Sequence, residues 1–333
     1  MPELRKDPVT GRWVIIATER PNRLEEFRPL PVTRRSTACV LCEGREQETP
    51  PELLANRAGP DARPNGPGWR VRVVPNKFPI LRVEGELERR GYGLYDLMNG
   101  VGAHEIVIES PRHDDTLAAL SLPALEEVVH AYQERMIDLR RDTRFRAVVV
   151  FKAVRSATAV GLDHPHSQLL ATPTVPPDVA NELLHARSYF DYRERCLFCD
   201  ILQQETELGS RVVVESEHVM AIVPFAARTP FETWVLPRRH LAAYEDVTAA
   251  ERRDLARTLK TLLERLQTLL MDAPVAFVLH SAPFGEHDAS FFHWHLEITP
   301  AVAVPGFQPE GSGFAVNPLP PGDAARFLRG SGG

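Results

Sequence analysis

The sequence predicts an α+β fold made of two similar halves, with helices packed on an antiparallel sheet. Three observations carry this. Short runs such as RVRVVP and RVVVES have the β-branched composition and alternation of strands. Two longer stretches repeat apolar residues at helical spacing instead. The chain also runs twice through one order of features: a Cys-x-x-Cys pair, strands, a histidine after a proline turn, a long helix, a strand and a His-x-His. The expected halves are residues 1–175 and 176–333.

Each element has its own signal. In the first half a strand is expected from Arg12 to Ala17, followed by a polar loop that holds Arg20, Pro21 and Arg23. After Cys39 and Cys42 comes a Pro/Gly-rich loop from Pro50 to Gly68, then an alternating stretch from Trp69 to Leu81. A strand from His104 to Glu109 ends at the turn signal Ser110-Pro111. Pro123 opens a helix to about Arg141, with Leu125, Val128, Val129, Tyr132, Met136 and Leu139 on one face. A strand from Arg146 to Lys152 leads to HPHSQLLA. In the second half a helix is expected over Asp178 to Arg195, with Asp178 as its cap. Strands follow at Arg211–Ser216, Val219–Phe225 and Glu232–Pro237. Thr248 caps a helix to about Met271, its leucines at 255, 259, 262, 263, 266 and 269 spaced for burial. AFVLHSA and FHWHLEI close the pattern as strands.

Composition excludes several classes. Of 333 residues, 43% are hydrophobic and 25% charged, the balance of an ordinary globular protein. A net charge of -6 gives no footprint for a nucleic acid polymer. No apolar run reaches membrane-spanning length, and MPELRKDPVTGRW is too polar for a signal peptide. The expectation is a cytoplasmic enzyme or binding protein with no membrane partner.

Chemistry concentrates in GLDHPHSQ, Gly161 to Gln168. On an extended strand, alternate positions share one face, so His164, His166 and Gln168 line one wall. Pro165, Ser167 and Leu169 point the other way. A nucleophilic imidazole needs such a wall: one ring nitrogen ready to attack, the other held by a hydrogen bond, and a polar partner beside it. A His-x-His on its own also occurs as a satisfied pair or an incidental metal site. The four cysteines form two Cys-x-x-Cys pairs, Cys39 with Cys42 and Cys196 with Cys199. One such pair could be a redox motif, but neither sits in a βαβ pattern. Two pairs, each with histidines downstream, read as two zinc sites.

Taken together, LRKDPVTGRWVIIA, VRVVPNKFPIL, HEIVIESPRH, HPHSQLLA, VPFAARTPFETWVLPRRH and HWHLEITP cover nearly the whole chain. In this combination and order they resemble the galactose-1-phosphate uridylyltransferase family, the transferase branch of the histidine-triad superfamily. The resemblance implies two histidine-triad-like half-domains. The first carries the nucleophile and the first zinc site, and the second carries a sugar-binding segment and a second metal site. It implies a double displacement in galactose metabolism. A nucleotide sugar gives its nucleoside monophosphate to a histidine, and a second sugar 1-phosphate takes it up. UDP-glucose and galactose 1-phosphate are the family's pair. The nucleophile matches His166, and Gln168 matches the residue that bonds the phosphate. Hydrolytic histidine-triad proteins carry a histidine at that place. A carboxamide there cannot serve as a base toward water.

Residue by residue, the first zinc site matches Cys39, Cys42, His113 and His164, with His104 as an alternative third ligand. Anchoring His164 would fix the strand that presents His166. The second site matches Cys196, Cys199, His240 and His293, with His280 and His295 as alternatives. Asn76 and Lys77 match the base and ribose site, and Arg23 lies in the loop that approaches the diphosphate or is simply solvated. Phe307, Glu310 and Ser312 match the sugar segment, and Gly161 allows close backbone approach to a phosphate. A homodimer is implied as well.

The chain also departs from the pattern. Typical members have asparagine at the place of Ala153, glycines near Arg155 and Ala159, and serine at Gly161. Loss of one hydrogen bond to a charged partner is worth roughly 1.5–3 kcal/mol. The family's galactose 1-phosphate enzymes have a glutamine near the C-terminal sugar loop, where this chain reads EGSG. Glycine there resembles relatives that use inorganic phosphate and ADP-sugars. A third reading is a zinc-stabilised nucleotide-binding protein with little turnover, motivated by Ala153 and Gly161.

Overall fold

The computed structural model describes residues 1–20, 23–31, 39–57, 63–153, 163–304 and 311–330. Of the residues singled out above, Pro21, Arg155, Ala159, Gly161, Phe307 and Glu310 lie outside that set. In chain order the first half holds β1 (Glu3–Lys6), β2 (Trp13–Ile16), β3 (Leu54–Arg57), β4 (Trp69–Pro75), β5 (Arg90–Tyr92), β6 (Tyr95–Leu97), β7 (Ala103–Ile108), α1 (Leu122–Leu139), β8 (Ala147–Lys152) and β9 (His166–Thr172). The second holds α2 (Pro177–Arg193), α3 (Leu197–Leu208), β10 (Val212–Glu215), β11 (Val219–Ile222), β12 (Thr233–Pro237), α4 (Ala249–Leu269), β13 (Val275–His280), β14 (His295–Pro300), β15 (Ala315–Asn317) and α5 (Pro321–Leu328). Among the described residues no helix is long and apolar enough to cross a membrane.

The main sheet has ten strands in the order β10-β11-β12-β14-β13-β8-β9-β7-β4-β3. Read from each outer edge, both halves have one topology. The first three strands lie side by side, the fifth comes next, and the fourth ends the run. The halves meet through their fourth strands, where Phe277, Val278 and Leu279 of β13 pair with Lys152, Phe151 and Val150 of β8. Every pairing in this sheet is antiparallel. A separate small sheet, β1-β2-β15, ties the start of the chain to its C-terminal part.

The two long helices sit where a histidine-bearing turn must return to the sheet. Ser121 caps α1 by accepting from the Ala124 N–H, and Pro123 costs nothing in the first turn because its missing donor would be unpaired there. All six residues expected on its inner face are buried. Thr248 caps α4 in a reciprocal box with Glu251. Both helices lie against one sheet face, in a core shared with Val73, Val107, Val150, Leu169, Val235 and Leu279.

The opposite face differs between the halves. In the second half α2 and α3 cover it, packing Phe198 and Leu202 against Met220, Ile222, Trp234 and Leu236. In the first half a smaller cluster of Leu41, Trp69, Val74, Ile106 and Ile108 covers only part of it. Two expectations change here. Asp178 is not the cap of α2. That place belongs to Pro176, with Pro177 as the first helical residue, and Asp178 pairs with Arg12 from inside the first turn. A separate helix, α3, starts directly after Cys196, which places Cys199 in its first turn.

Candidate active site and metal centres

β9 lies between β7 and β8, with His166 opposite Ile108 and Gln168 opposite Ile106 and Phe151. Strand alternation therefore puts His166 and Gln168 on the partly open face, both half-buried. Ser167 points to the helical side, fully buried, with its Oγ 2.7 Å from the Tyr132 hydroxyl. His164 precedes the strand in a bend, so the shared wall begins at His166. His166 Nδ1 lies 2.7 Å from the His164 carbonyl oxygen. A carbonyl only accepts, so Nδ1 carries the proton and the lone pair stays on Nε2. That is the tautomer a nucleophilic imidazole requires.

Gln168 is oriented by His104, which the sequence offered as an alternative zinc ligand or a half-buried strand residue. The Ile80 N–H donates to His104 Nδ1 (3.3 Å), so His104 Nε2 bears the hydrogen and donates to Gln168 Oε1 at 2.7 Å. With its oxygen engaged, Gln168 offers donors, which suit a phosphoryl oxygen. Asn76 lies against the same ring, its Nδ2 3.2 Å from His104 Nε2, while its Oδ1 accepts from the Phe78 N–H. His104 thus belongs to this polar group and not to the first cysteine cluster. The available signal was parity: His104, Ile106 and Ile108 share a face of β7, and that face meets Gln168.

The other expected substrate contacts are more scattered. Lys77 reaches the Glu48 carbonyl at 3.5 Å. The Arg23 N–H donates to Glu26 at the start of a short turn. The Ser312 hydroxyl accepts from the Phe314 N–H. A cavity of about 510 Å³ opens beside His166, lined also by Lys152, Ala153, Leu263 and Val275.

Cys39, Cys42, His113 and His164 converge, with one ligand atom from each within 4.8 Å of the others. Cys42 Sγ lies 3.6 Å from His164 Nδ1 and 3.8 Å from His113 Nδ1. His164 Nε2 donates to the Ser110 carbonyl at 2.6 Å, so Nδ1 presents its lone pair to the sulfurs. Burial pushes the His164 imidazole down to about 4, keeping it neutral as a ligand must be. Burial and the neighbouring Cys39 push the Cys42 thiol up to about 11. A divalent cation reverses that preference. Two sulfurs and two imidazoles form a closed set that fits zinc.

The second cysteine pair repeats this. Cys196, Cys199, His240 and His293 also converge within 4.8 Å. Cys199 Sγ is 3.3 Å from His293 Nε2 and 3.6 Å from His240 Nδ1. Hydrogen bonds with Cys196, His240 and His293 hold the Cys199 thiol well below its ordinary range. His280 and His295, the alternatives, belong elsewhere: they join Glu182 and Glu297 in a separate buried group.

The repeated topology places that group. His293 stands two residues before His295 as His164 does before His166, and His295 Nδ1 again faces the preceding histidine's carbonyl, at 3.2 Å. Here, however, α2 brings Glu182 against His280 (2.8 Å), and His295 is sealed among Phe198, Trp234 and Phe292. Glu297 takes the place of Gln168 and is held by Arg228 at 2.6 Å. Among the described residues, His295 is fully buried, while His166 is half-buried and lines the cavity.

Known proteins match this arrangement along its length. The N-terminal domain of galactose-1-phosphate uridyl transferase matches residues 1–176, and its C-terminal domain matches residues 182–301. The chain is 33% identical to an ADP-glucose phosphorylase of Arabidopsis thaliana, over 98% of this chain and 92% of that protein. It is 27% identical to a galactose-1-phosphate uridylyltransferase of Thermotoga maritima, over 99% and 98%. The crystal structure of an Arabidopsis thaliana ADP-glucose phosphorylase with bound ADP-glucose shares the fold, with a TM-score of 0.82 and 31% identity over 99% of both chains. This chain belongs to the galactose-1-phosphate uridylyltransferase family.

Proposed function

We propose that the protein is a hexose-1-phosphate nucleotidyltransferase that works through a covalent nucleotidyl group on His166. The observation that carries this is the Nδ1 bond to the His164 carbonyl, which leaves the attacking lone pair on Nε2. In the first half-reaction Nε2 attacks the α-phosphorus of a nucleotide sugar. The N–P bond forms, the bond to the bridging oxygen breaks, and the sugar 1-phosphate leaves with that electron pair. The imidazole ring becomes cationic, and the His164 carbonyl steadies its Nδ1–H. Gln168, turned by His104, donates to a phosphoryl oxygen as charge gathers there. In the second half-reaction an acceptor phosphate oxygen attacks the same phosphorus. The P–N bond breaks and its electron pair returns to Nε2.

Asn76 and Lys77 hold the base and ribose in this reading, and Arg23 meets the diphosphate. Gly161 lets the backbone approach the phosphate, while Phe307, Glu310 and Ser312 hold the sugar. Cys39, Cys42, His113 and His164 hold a structural zinc, and Cys196, Cys199, His240 and His293 hold a second. Zinc supplies rigidity to the bend before β9. The enzyme is a cytoplasmic homodimer.

The first substrate reading is the family's own: UDP-glucose with galactose 1-phosphate, giving glucose 1-phosphate and UDP-galactose. A second has specific support. The full-length identity to an ADP-glucose phosphorylase and the EGSG stretch favour ADP-glucose with inorganic phosphate as acceptor. Product analysis separates them. UDP-glucose or ADP-glucose is supplied with galactose 1-phosphate or inorganic phosphate, and nucleotide products are resolved by chromatography. UDP-galactose supports the first reading, and ADP from ADP-glucose and phosphate supports the second. Tight binding of both nucleotides with no product in any mixture contradicts both.

A further inference from the structure

We infer that Lys152 is a positioning residue for the nucleophile, acting through the main chain of His166 and paired for that purpose with the buried carboxylate of Glu109. The inference rests on the reading of His166 as the nucleophile. Lys152 is the last residue of β8, and its alternation places it on the helical side, beneath β9. Its Nζ donates to the His166 carbonyl oxygen at 2.8 Å and to Glu109 Oε2 at 2.6 Å. The Glu109 side chain is 0% exposed, against 20% for Lys152.

Three bonds therefore fix the main chain around the nucleophile. The Glu109 N–H donates to the Pro165 carbonyl at 3.1 Å, Lys152 holds the His166 carbonyl, and His166 Nδ1 holds the His164 carbonyl. Tyr132 extends the group, its hydroxyl lying between Ser167 Oγ (2.7 Å) and Glu109 Oε1 (3.5 Å). The peptide plane after His166 sets where the imidazole stands, so a displaced carbonyl displaces Nε2. Rates fall steeply with such displacement. Lys152 also lines the cavity that His166 lines, beside Ala153, whose methyl group can donate nothing. A surface ion pair would explain none of this, because neither end of Lys152's contacts is a surface group.

The test measures the first half-reaction, the rate of nucleotide transfer to His166 from saturating nucleotide sugar, in Lys152→Met, Lys152→Arg and the double variant Lys152→Met/Glu109→Gln. Lys152→Met strands the buried Glu109 charge and loses stability. The double variant removes both charges and regains it. If Lys152 positions the nucleophile, the double variant melts near the wild type, keeps its metal and still transfers about 10- to 100-fold more slowly, with donor half-saturation changed by less than about threefold. Lys152→Arg, which can still reach a carbonyl and a carboxylate, recovers part of the rate. A double variant with wild-type stability and wild-type rate overturns the inference, because the pair would then be structural only. A double variant that stays unstable, with a slow Lys152→Arg that melts like the wild type, supports it. A wild-type rate in Lys152→Arg and in the folded fraction of Lys152→Met together overturns it. A wild type that takes no label from any nucleotide sugar contradicts the His166 reading itself, and this role falls with it.

Discussion

In the proposed mechanism, Gln168 decides what kind of phosphorus chemistry the His166 wall performs. A histidine at that position could ionise and hand a proton to or from water, whereas a carboxamide can only donate and accept hydrogen bonds. Its usefulness depends on which end faces the substrate, and the bond from His104 Nε2 to Oε1 settles that. His104→Phe keeps a ring in the space and removes the donor. We expect it to lower kcat by about tenfold, the value of roughly one hydrogen bond to a charged group, with KM for the nucleotide sugar little changed. Stopped-flow transfer rates check this, and an unchanged kcat would show that Gln168 needs no such orientation. At this scale the sequence was legible where the signal was local. The His166-Gln168 spacing and both cysteine pairs are local in the chain, and the pairs converge with His113 and His164 and with His240 and His293. His104 was legible only as an alternative metal ligand, and Glu109 and Lys152 were not legible as site residues. Alternation tells which face a side chain takes, but the partner it meets there comes from a neighbouring strand.

At the scale of elements, α4 shows how a capping residue couples to pH. Burial opposes ionisation of Glu251, but bonds from Arg239 and Thr248 outweigh it and hold the carboxyl down to about 2. A depressed carboxyl stabilises the fold above its ordinary value of 4.5 and loses that contribution as pH falls from there through about 2. Glu251→Gln should therefore lower the melting temperature at neutral pH by about 2 °C, in keeping with a cap worth about 1 kcal/mol. The gap between variant and wild type should close as the solution is acidified. A gap that stays constant below the carboxylate range would mean the charge contributes nothing. Thr248 and the leucine stripe made α4 legible. The reading of Asp178 as the cap of α2 failed because two prolines precede it: Pro177 begins the helix and moves the cap back to Pro176. α3 escaped notice because the Cys-x-x-Cys motif reads as a loop, while its second cysteine sits in a helical turn.

For the whole molecule, one strand topology repeated in both halves is the organising feature. The repeated order of motifs was visible in the sequence, but the joining of the halves through β8 and β13 was not, because each strand's pattern fits several neighbours. The second half keeps the scaffold and plugs it. Glu182 and Glu297 gather around His295, and Arg228 holds Glu297, so the His295 imidazole is enclosed where that of His166 is only half-buried. The two cysteine clusters should consequently behave as independent structural centres. Metal analysis should show the loss of about one zinc per chain in Cys39→Ser and of one other in Cys196→Ser. Only the first loss should slow transfer strongly, since only that cluster anchors the bend before His166. Equal effects on transfer would contradict this division of labour. The claim on which the account turns is that the nucleotide resides on His166 during turnover. Peptide mass spectrometry after quenching a mixture with nucleotide sugar at alkaline pH tests it directly. The account predicts one nucleoside monophosphate on the peptide that carries His166, absent in His166→Asn and discharged by the acceptor. Turnover with His166 unmodified throughout, or undiminished in His166→Asn, would contradict it.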